Sequence, residues 1–199
     1  MLGRARVRFR LVAAALLVSG CSAGDEPVVT ESHLENARLA TQMLDKRLKS
    51  RLMDVMAQDG PQAAVAVCAN EAPQIAAQVF RHTGVVVSRT AMRVRSPANQ
   101  PDAWAQRAFA RFEDALASGA QVATLEETDV VVHEDGSASL RYARPILLQA
   151  PCLTCHGGSI APALLTDIRA LYPGDTATGF AIGDLRGMFL ASAPLSSSP

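Results

Sequence analysis

The chemistry of this chain is concentrated in one pentapeptide, in which two thiols and an imidazole follow the order Cys-x-x-Cys-His. Its reactive members are Cys152, Cys155 and His156. Two thiols at this spacing can each add across a vinyl group of haem, and the adjacent histidine can ligate the iron. A Cys-x-x-Cys pair alone also suits a zinc site or a dithiol–disulfide couple. The adjoining histidine favours haem, so the pattern predicts one covalently attached c-type haem.

The first 20 residues are typical of an export signal. A stretch with four arginines precedes the apolar run Leu11 to Val18, which is shorter than the roughly 20 residues that span a bilayer. The sequence Val18-Ser19-Gly20-Cys21 resembles the lipobox of bacterial lipoproteins, in which the cysteine carries the lipid. We expect residues 1–20 to be a lipoprotein signal peptide, and Cys21 to anchor the protein in a membrane facing the periplasm. An ordinary signal peptide with a chance cysteine is the alternative.

Export agrees with covalent haem attachment, because bacteria ligate c-type haem on the outer side of the cytoplasmic membrane. Residues 1–20 hold four of the 19 Lys and Arg residues and none of the 19 Asp and Glu residues, so the mature chain has a net charge of −4. A basic nucleic-acid-binding surface is not indicated. No second apolar stretch of the sequence is long enough to cross a membrane, so the lipid would be the only anchor.

The fourth cysteine is left over once the others are assigned. If Cys21 carries lipid and the pair at 152 and 155 binds haem, Cys68 has no cysteine with which to form a disulfide. A buried, inert thiol is one interpretation, since free cysteine is among the most buried residue types. A thiolate is also a good iron ligand, so Cys68 is a candidate for that role.

Apolar periodicity and turn residues predict both helices and strands. Apolar residues at three- and four-residue steps indicate helices, β-branched runs indicate strands, and Asp135-Gly136 between two such runs is typical of a hairpin. Pro73 predicts a break near Glu71. The predicted order is helix 33–57, broken helix 62–82, strand 85–87, helix 102–118, strands 128–133 and 139–148, helix 161–171 and a last strand within 179–193. This order predicts an α+β fold.

One domain accounts for most of the mature chain. Residues 21–32 are largely polar, and we expect them to tether the domain to the lipid. Residues 33–193 are long enough for a single domain with its own core. Residues 194–199 are expected to form a flexible tail.

A series of short motifs extends from about Val65 to Leu190. In order they are Val67-Cys68, Ala72-Pro73, Arg89-Thr90, Arg95 to Asn99, Pro101-Asp102, Tyr142, Pro145-Ile146, Cys152 to Gly157, Tyr172-Pro173, Asp175 to Phe180 and Gly183 to Gly187. In this order they resemble the exported c-type haem-binding PAS-like domain family, a family without a defined physiological role. The resemblance implies an antiparallel sheet of PAS type with flanking helices, and here long N-terminal helices and one covalent haem.

The resemblance also implies two iron ligands, the motif histidine on one side and a cysteine on the other. By position these are His156 and Cys68. Other residues could compete with Cys68, although core packing or a surface position explains each of them as well. They are Met43, Met53, Met56, Met92, Met188, His33, His82 and His133.

Arginines close to the first predicted strand could bind the haem propionates. Arg93 and Arg95 are two residues apart, a spacing that points side chains to the same face of a strand. A guanidinium group binds a carboxylate through two parallel hydrogen bonds. Arg186 is a second candidate, and simple solvation of these arginines is the alternative.

The resemblance to the PAS-like family, together with ligation by Cys68, implies a haem-based redox or small-ligand sensing protein, for which a redox or signalling protein is a candidate partner. A periplasmic electron-transfer cytochrome is the main alternative. An enzyme is less favoured, because the sequence shows no acid–base pair arranged beside an open iron site. A four-helix cytochrome of the c′ type would require helix through residues 128–148 and 179–192, where the sequence predicts strands.

Overall fold

Three α-helices come first in the part of the chain that the structure describes. The structure, a computed structural model, describes residues 27–195, so the predicted signal peptide and Cys21 lie outside the described residues. Helix α1 spans Glu31–Gln58, α2 spans Gly60–Ala66 and α3 spans Ala72–Thr83. Thr30 and His33 form a reciprocal capping box at the start of α1. The helix therefore begins two residues earlier than predicted and includes the end of the predicted tether.

A π-helical turn, Val67–Glu71, separates α2 from α3 at the predicted break. The N–H of Ala72 donates to the carbonyl of Val67, five residues earlier. The next donor in this pattern would be Pro73, which has no N–H. The carbonyl of Cys68 is therefore left without the N–H that would continue the π-type ladder.

In the described range 27–195, four antiparallel strands form one sheet in the order β1-β4-β3-β2. Their bounds are Val86–Thr90 for β1, Glu127–Val132 for β2, Ala138–Leu147 for β3 and Leu185–Leu195 for β4. Together with the helices they confirm the α+β fold, and β2, β3 and β4 occupy the segments in which a c′-type bundle would need helix. Pro194 lies opposite Ser139 in the sheet. The predicted boundary of the tail at residue 194 is thus wrong, because the strand pairing continues to Leu195.

The two faces of the sheet are covered by different helices. Helices α1 and α3 cover one face, on which the buried side chains include Tyr142, Phe189 and Ala191. Helix α4, Ala103–Ala117, covers the other face near Ala143 and Met188. Adjacent residues of one strand belong to opposite cores, as the alternation of a strand requires.

Two shorter helices follow β3. They are α5, Leu153–His156, and α6, Pro162–Leu171. Helix α6 packs on α2 through a small core of Val65, Leu164 and Ile168, against which Cys155 is partly buried. This contact ties the Cys-x-x-Cys-His segment to the helix that leads into Cys68. Within residues 27–195, no helix combines the length and the apolar character needed to span a bilayer.

Candidate functional site

One cavity brings together the chemically reactive residues that the sequence singles out. Cys68, Cys152, Cys155 and His156 all line it. Its wall is formed by α1, by the π turn, by the end of β1 and the loop after it, and by the ends of β3 and β4. Apolar side chains make up much of this wall, among them Leu48, Leu52, Met56, Val65, Val94, Ile146, Leu148 and Phe189.

A single helical turn positions the motif residues. A 3-10 turn, Ala150–Cys152, leads directly into α5, and residues at positions i, i+3 and i+4 of a helical turn share one side. Cys152, Cys155 and His156 have this spacing. Gly157 closes the turn by donating its N–H to the carbonyl of Leu153, and a Cβ atom at Gly157 would lie 2.6 Å from that oxygen. Any residue other than glycine would therefore require the backbone here to shift.

The imidazole of His156 is held in one tautomer. Its Nδ1 lies 2.6 Å from the carbonyl oxygen of Ala177, and because a carbonyl can only accept, Nδ1 carries the proton. Nε2 is then the nitrogen with the free lone pair. Burial, followed by the positive charges of Arg186 and Arg95, lowers the pKa of His156 to about 3. The side chain is neutral near pH 7, which is the form that ligates a metal.

The Ala177 carbonyl is itself fixed by a short network. The Ala177 N–H donates to Oδ1 of Asp175 at 2.8 Å, and the N–H of Phe180 donates to the carbonyl of His156 at 3.0 Å. A bridge between Gly157 and Phe180 joins the same two segments. The loop of residues 175–180 thus supports the motif histidine in the way that outer contacts support metal ligands.

Cys68 lies on the π turn and is partly buried. Single π turns within helices are frequent at functional sites. Tyr172 and Cys155 line the same cavity, and burial is the main cause that raises the pKa of the Cys155 thiol. The fold therefore brings the leftover thiol and the motif histidine to a common cavity.

The two arginines predicted to share a strand face diverge. Strand β1 ends at Thr90, so Arg93 and Arg95 lie in the following loop and the alternation of a strand does not apply to them; this is a correction of the predicted geometry. Arg95 lines the cavity, where it donates to the carbonyl of Cys155 at 2.6 Å and pairs with Asp175 at 3.1 Å. Arg93 is exposed and donates to the carbonyl of Thr178 at 2.8 Å. Arg93 is not part of the cavity wall.

Of the competing ligands, only Met56 lines this cavity. His33 caps α1, His133 is hydrogen-bonded to Ser139 at 3.0 Å, and Met188 is fully buried in the core beneath α4. Sequence reasoning missed the contribution of α1 to the wall. Helical periodicity shows which residues turn inward, but it does not show what those residues face.

The sequence and the fold are both similar to those of known proteins. The sequence matches the family model of Tll0287-like proteins over residues 26–194. Among solved structures, the fold is similar to that of the cyanobacterial heme-protein Tll0287, with a TM-score of 0.61 and 24% sequence identity. That likeness covers 86% of this chain and 100% of the other. No curated protein gave a significant match. Because the family model covers most of the sequence, the chain belongs to the Tll0287-like family.

Proposed function

We propose that this chain is an exported single-haem protein of c type that senses redox state or a small ligand through the haem iron. Cys152 and Cys155 attach the haem, and His156 and Cys68 ligate its iron. The observation that carries the proposal is that these four residues, one of them distant in sequence, line one cavity. The similar solved structure is named as a heme-protein, which supports the same cofactor.

The residues present fit a covalently bound haem. The S–H of each motif thiol would add across one vinyl group, so that a C–S bond would form, the C=C bond would become a single bond and the proton would move to the other carbon. This addition needs no external oxidant or reductant. The cavity wall supplies apolar side chains for the flat ring, and His156 presents a neutral imidazole with Nδ1 already engaged. When bound, the haem would supply a redox-active iron.

Cys68 gives the site its proposed sensing character. As a ligand it must lose its proton, and an anionic thiolate favours ferric iron and lowers the reduction potential relative to Met/His ligation. The π turn leaves the backbone at Cys68 with an incomplete hydrogen-bond ladder. Such a segment suits a ligand that would be released on reduction, so that a small molecule could bind the iron in its place.

We also propose that the domain is PAS-like and that it is held at a membrane by a lipid anchor. The antiparallel sheet with helices on both faces supports the PAS-like interpretation of residues 33–193. Residues 1–20 would direct export, and lipid on Cys21 would hold the domain at the membrane. Cys21→Ser should move the protein from the membrane fraction to a soluble fraction or block its processing. Recovery of the wild-type protein as soluble periplasmic material would contradict the lipoprotein assignment.

Visible and EPR spectra of the ferric protein test the ligand assignment. The wild-type protein should be six-coordinate and low-spin with thiolate character. Cys68→Ala should give a high-spin or water-ligated spectrum and a higher reduction potential, whereas Met56→Leu, a change on the same cavity wall, should leave both unchanged. An unchanged low-spin spectrum in Cys68→Ala would contradict the assignment of Cys68.

Carbon monoxide separates sensing from plain electron transfer. If Cys68 is released on reduction, the reduced wild-type protein should bind carbon monoxide readily, with a rate similar to that of Cys68→Ala. An electron carrier that keeps both axial ligands would bind it slowly or not at all. That result would favour the electron-transfer alternative while leaving the haem assignment intact.

A further inference from the structure

Arg186 occupies a β-bulge at the edge of the cavity. In the pairing of β3 with β4, Ile146 lies opposite Gly187 and Leu147 lies opposite Leu185. Arg186 is therefore an extra residue without a cross-strand partner. Bulges of this kind redirect a side chain and are common beside functional sites, and the Arg186 side chain lines the cavity instead of following the alternation of β4.

The Arg186 guanidinium is held in place but not satisfied. Its Nη1 donates to the carbonyl of Arg93 at 3.1 Å, and the group lies 5.2 Å from the centre of the Phe180 ring. Arg93 lies on the same ring at 3.6 Å. The Nε of Arg186 is buried and has no hydrogen-bond partner within residues 27–195. Burial, followed by the positive charges of Arg95 and Arg89, lowers the pKa of Arg186 to about 10.

The cavity has an excess of positive charge. Arg89, Arg95 and Arg186 all line it, but Arg95 is paired with Asp175. The backbone of Arg89 pairs with β4 opposite Phe189, but its side chain forms no hydrogen bond or ion pair with any residue of the range 27–195. Two other charged residues of the wall, Asp45 and Lys49, pair with each other at 3.5 Å. Within residues 27–195 the side chains of Arg89 and Arg186 are thus left without an ion-pair partner, and for the more deeply buried Arg186 this is unfavourable.

We propose that Arg186 and Arg89 form a carboxylate-binding site that takes the two haem propionates. This inference rests on the proposed function, because the propionates are present only if haem is bound. Two carboxylates match the two uncompensated guanidinium groups in charge, and the free Nε of Arg186 is a donor of the kind that a carboxylate accepts. The main-chain carbonyl of Arg93 and the Phe180 ring both contact the Arg186 guanidinium group and orient it.

The pH dependence of the reduction potential tests the proposal in the haem-loaded protein. Ionised propionates stabilise ferric iron, so the potential falls as pH rises through their pKa. A neighbouring guanidinium lowers a carboxyl pKa by about one to three units. Arg186→Gln should therefore move this fall to higher pH by about one unit or more, and Arg89→Gln should move it in the same direction. Arg186→Lys keeps the positive charge, so the fall in potential should lie at a pH between those of the wild-type protein and Arg186→Gln.

Arg107→Gln is the matched control, because Arg107 is an exposed arginine of α4 that does not line the cavity. It should leave the pH dependence unchanged. Suppose that haem is retained and that neither Arg186→Gln nor Arg89→Gln changes the pH at which the reduction potential falls. The propionate site is then wrong, and the proposed function stands. If the Arg186→Gln variant does not accumulate as folded protein, the result for Arg89→Gln alone decides whether the propionate site is right. A wild-type protein that retains no haem would overturn the proposed function itself.

Discussion

The Nδ1 atom of His156 lies 2.6 Å from the carbonyl oxygen of Ala177, 21 residues further along the chain. This contact joins the short helix of the Cys-x-x-Cys-His motif to the loop that precedes β4. Because it fixes the proton on Nδ1, it also determines which nitrogen is available to a metal. The second ligand in our account, Cys68, comes from a different part of the chain. The site therefore depends on the packing of the whole domain.

The carboxylate of Asp175 should be important for stability. Its side chain is 3% exposed, Arg95 beside it is 10% exposed, and its Oδ1 accepts the Ala177 N–H. Asp175→Asn would leave a buried guanidinium without its counter-charge, a change that costs about 3 kcal/mol or more. Guanidinium chloride unfolding of the haem-loaded protein should show this loss of unfolding free energy.

Glu127→Gln provides the matched control for Asp175→Asn. Glu127 pairs with Arg111 at 2.8 Å, and the two side chains are 23% and 46% exposed. Exposed pairs contribute about 1 kcal/mol or less. Equal effects of the two substitutions would contradict a special role for Asp175.

The sequence was most informative where the signals are local. Pro73 marked the break that becomes the π turn, Asp135-Gly136 marked the hairpin, and the motif spacing marked one helical turn. Each of these depends on residues within a few positions of one another. For the same reason both ends of α1 and the end of β4 were placed within two residues.

The remaining features depend on pairing between distant segments. The acceptor for His156 is a main-chain carbonyl, which any residue in place of Ala177 would also offer, so the sequence holds no signal for it. The bulge that redirects Arg186 follows from the register of β3 against β4. Arg93 and Arg95 were expected on one strand face, but β1 ends before them. Such features require the three-dimensional structure.

Gly187 should be required for the close approach of β4 to the end of β1. A Cβ atom there would lie 2.6 Å from the carbonyl oxygen of Thr90 and 3.2 Å from the Cβ of Ala91. Gly187→Ala should therefore lower the free energy of unfolding by about 1–3 kcal/mol. At Gly158 a Cβ would have no neighbour within 4 Å, so Gly158→Ala should have little effect on the free energy of unfolding. Thermal unfolding of both variants and of the wild-type protein measures the difference. Similar effects of both changes would contradict the packing described at Gly187.

Tyr142 should make stability fall in alkaline solution. Burial, and secondarily the charge of Glu126, raises the pKa of Tyr142 from 10.0 to about 12. Between these values the unfolded chain has lost the phenol proton while the folded protein keeps it, so the unfolding free energy decreases as pH rises. Denaturant unfolding across this range should show the decrease, and Tyr142→Phe should reduce it. The same decrease in Tyr142→Phe would assign the effect to other groups.

Covalent attachment of haem is the central claim, and extraction with acid acetone tests it most directly. The protein should be matured in a bacterial periplasm together with the haem-ligation machinery, and its intact mass measured before and after extraction. The account predicts that the wild-type protein keeps one haem through extraction and that a variant with both Cys152→Ser and Cys155→Ser keeps none. Release of the haem from the wild-type protein, or a mass without haem, would contradict the account.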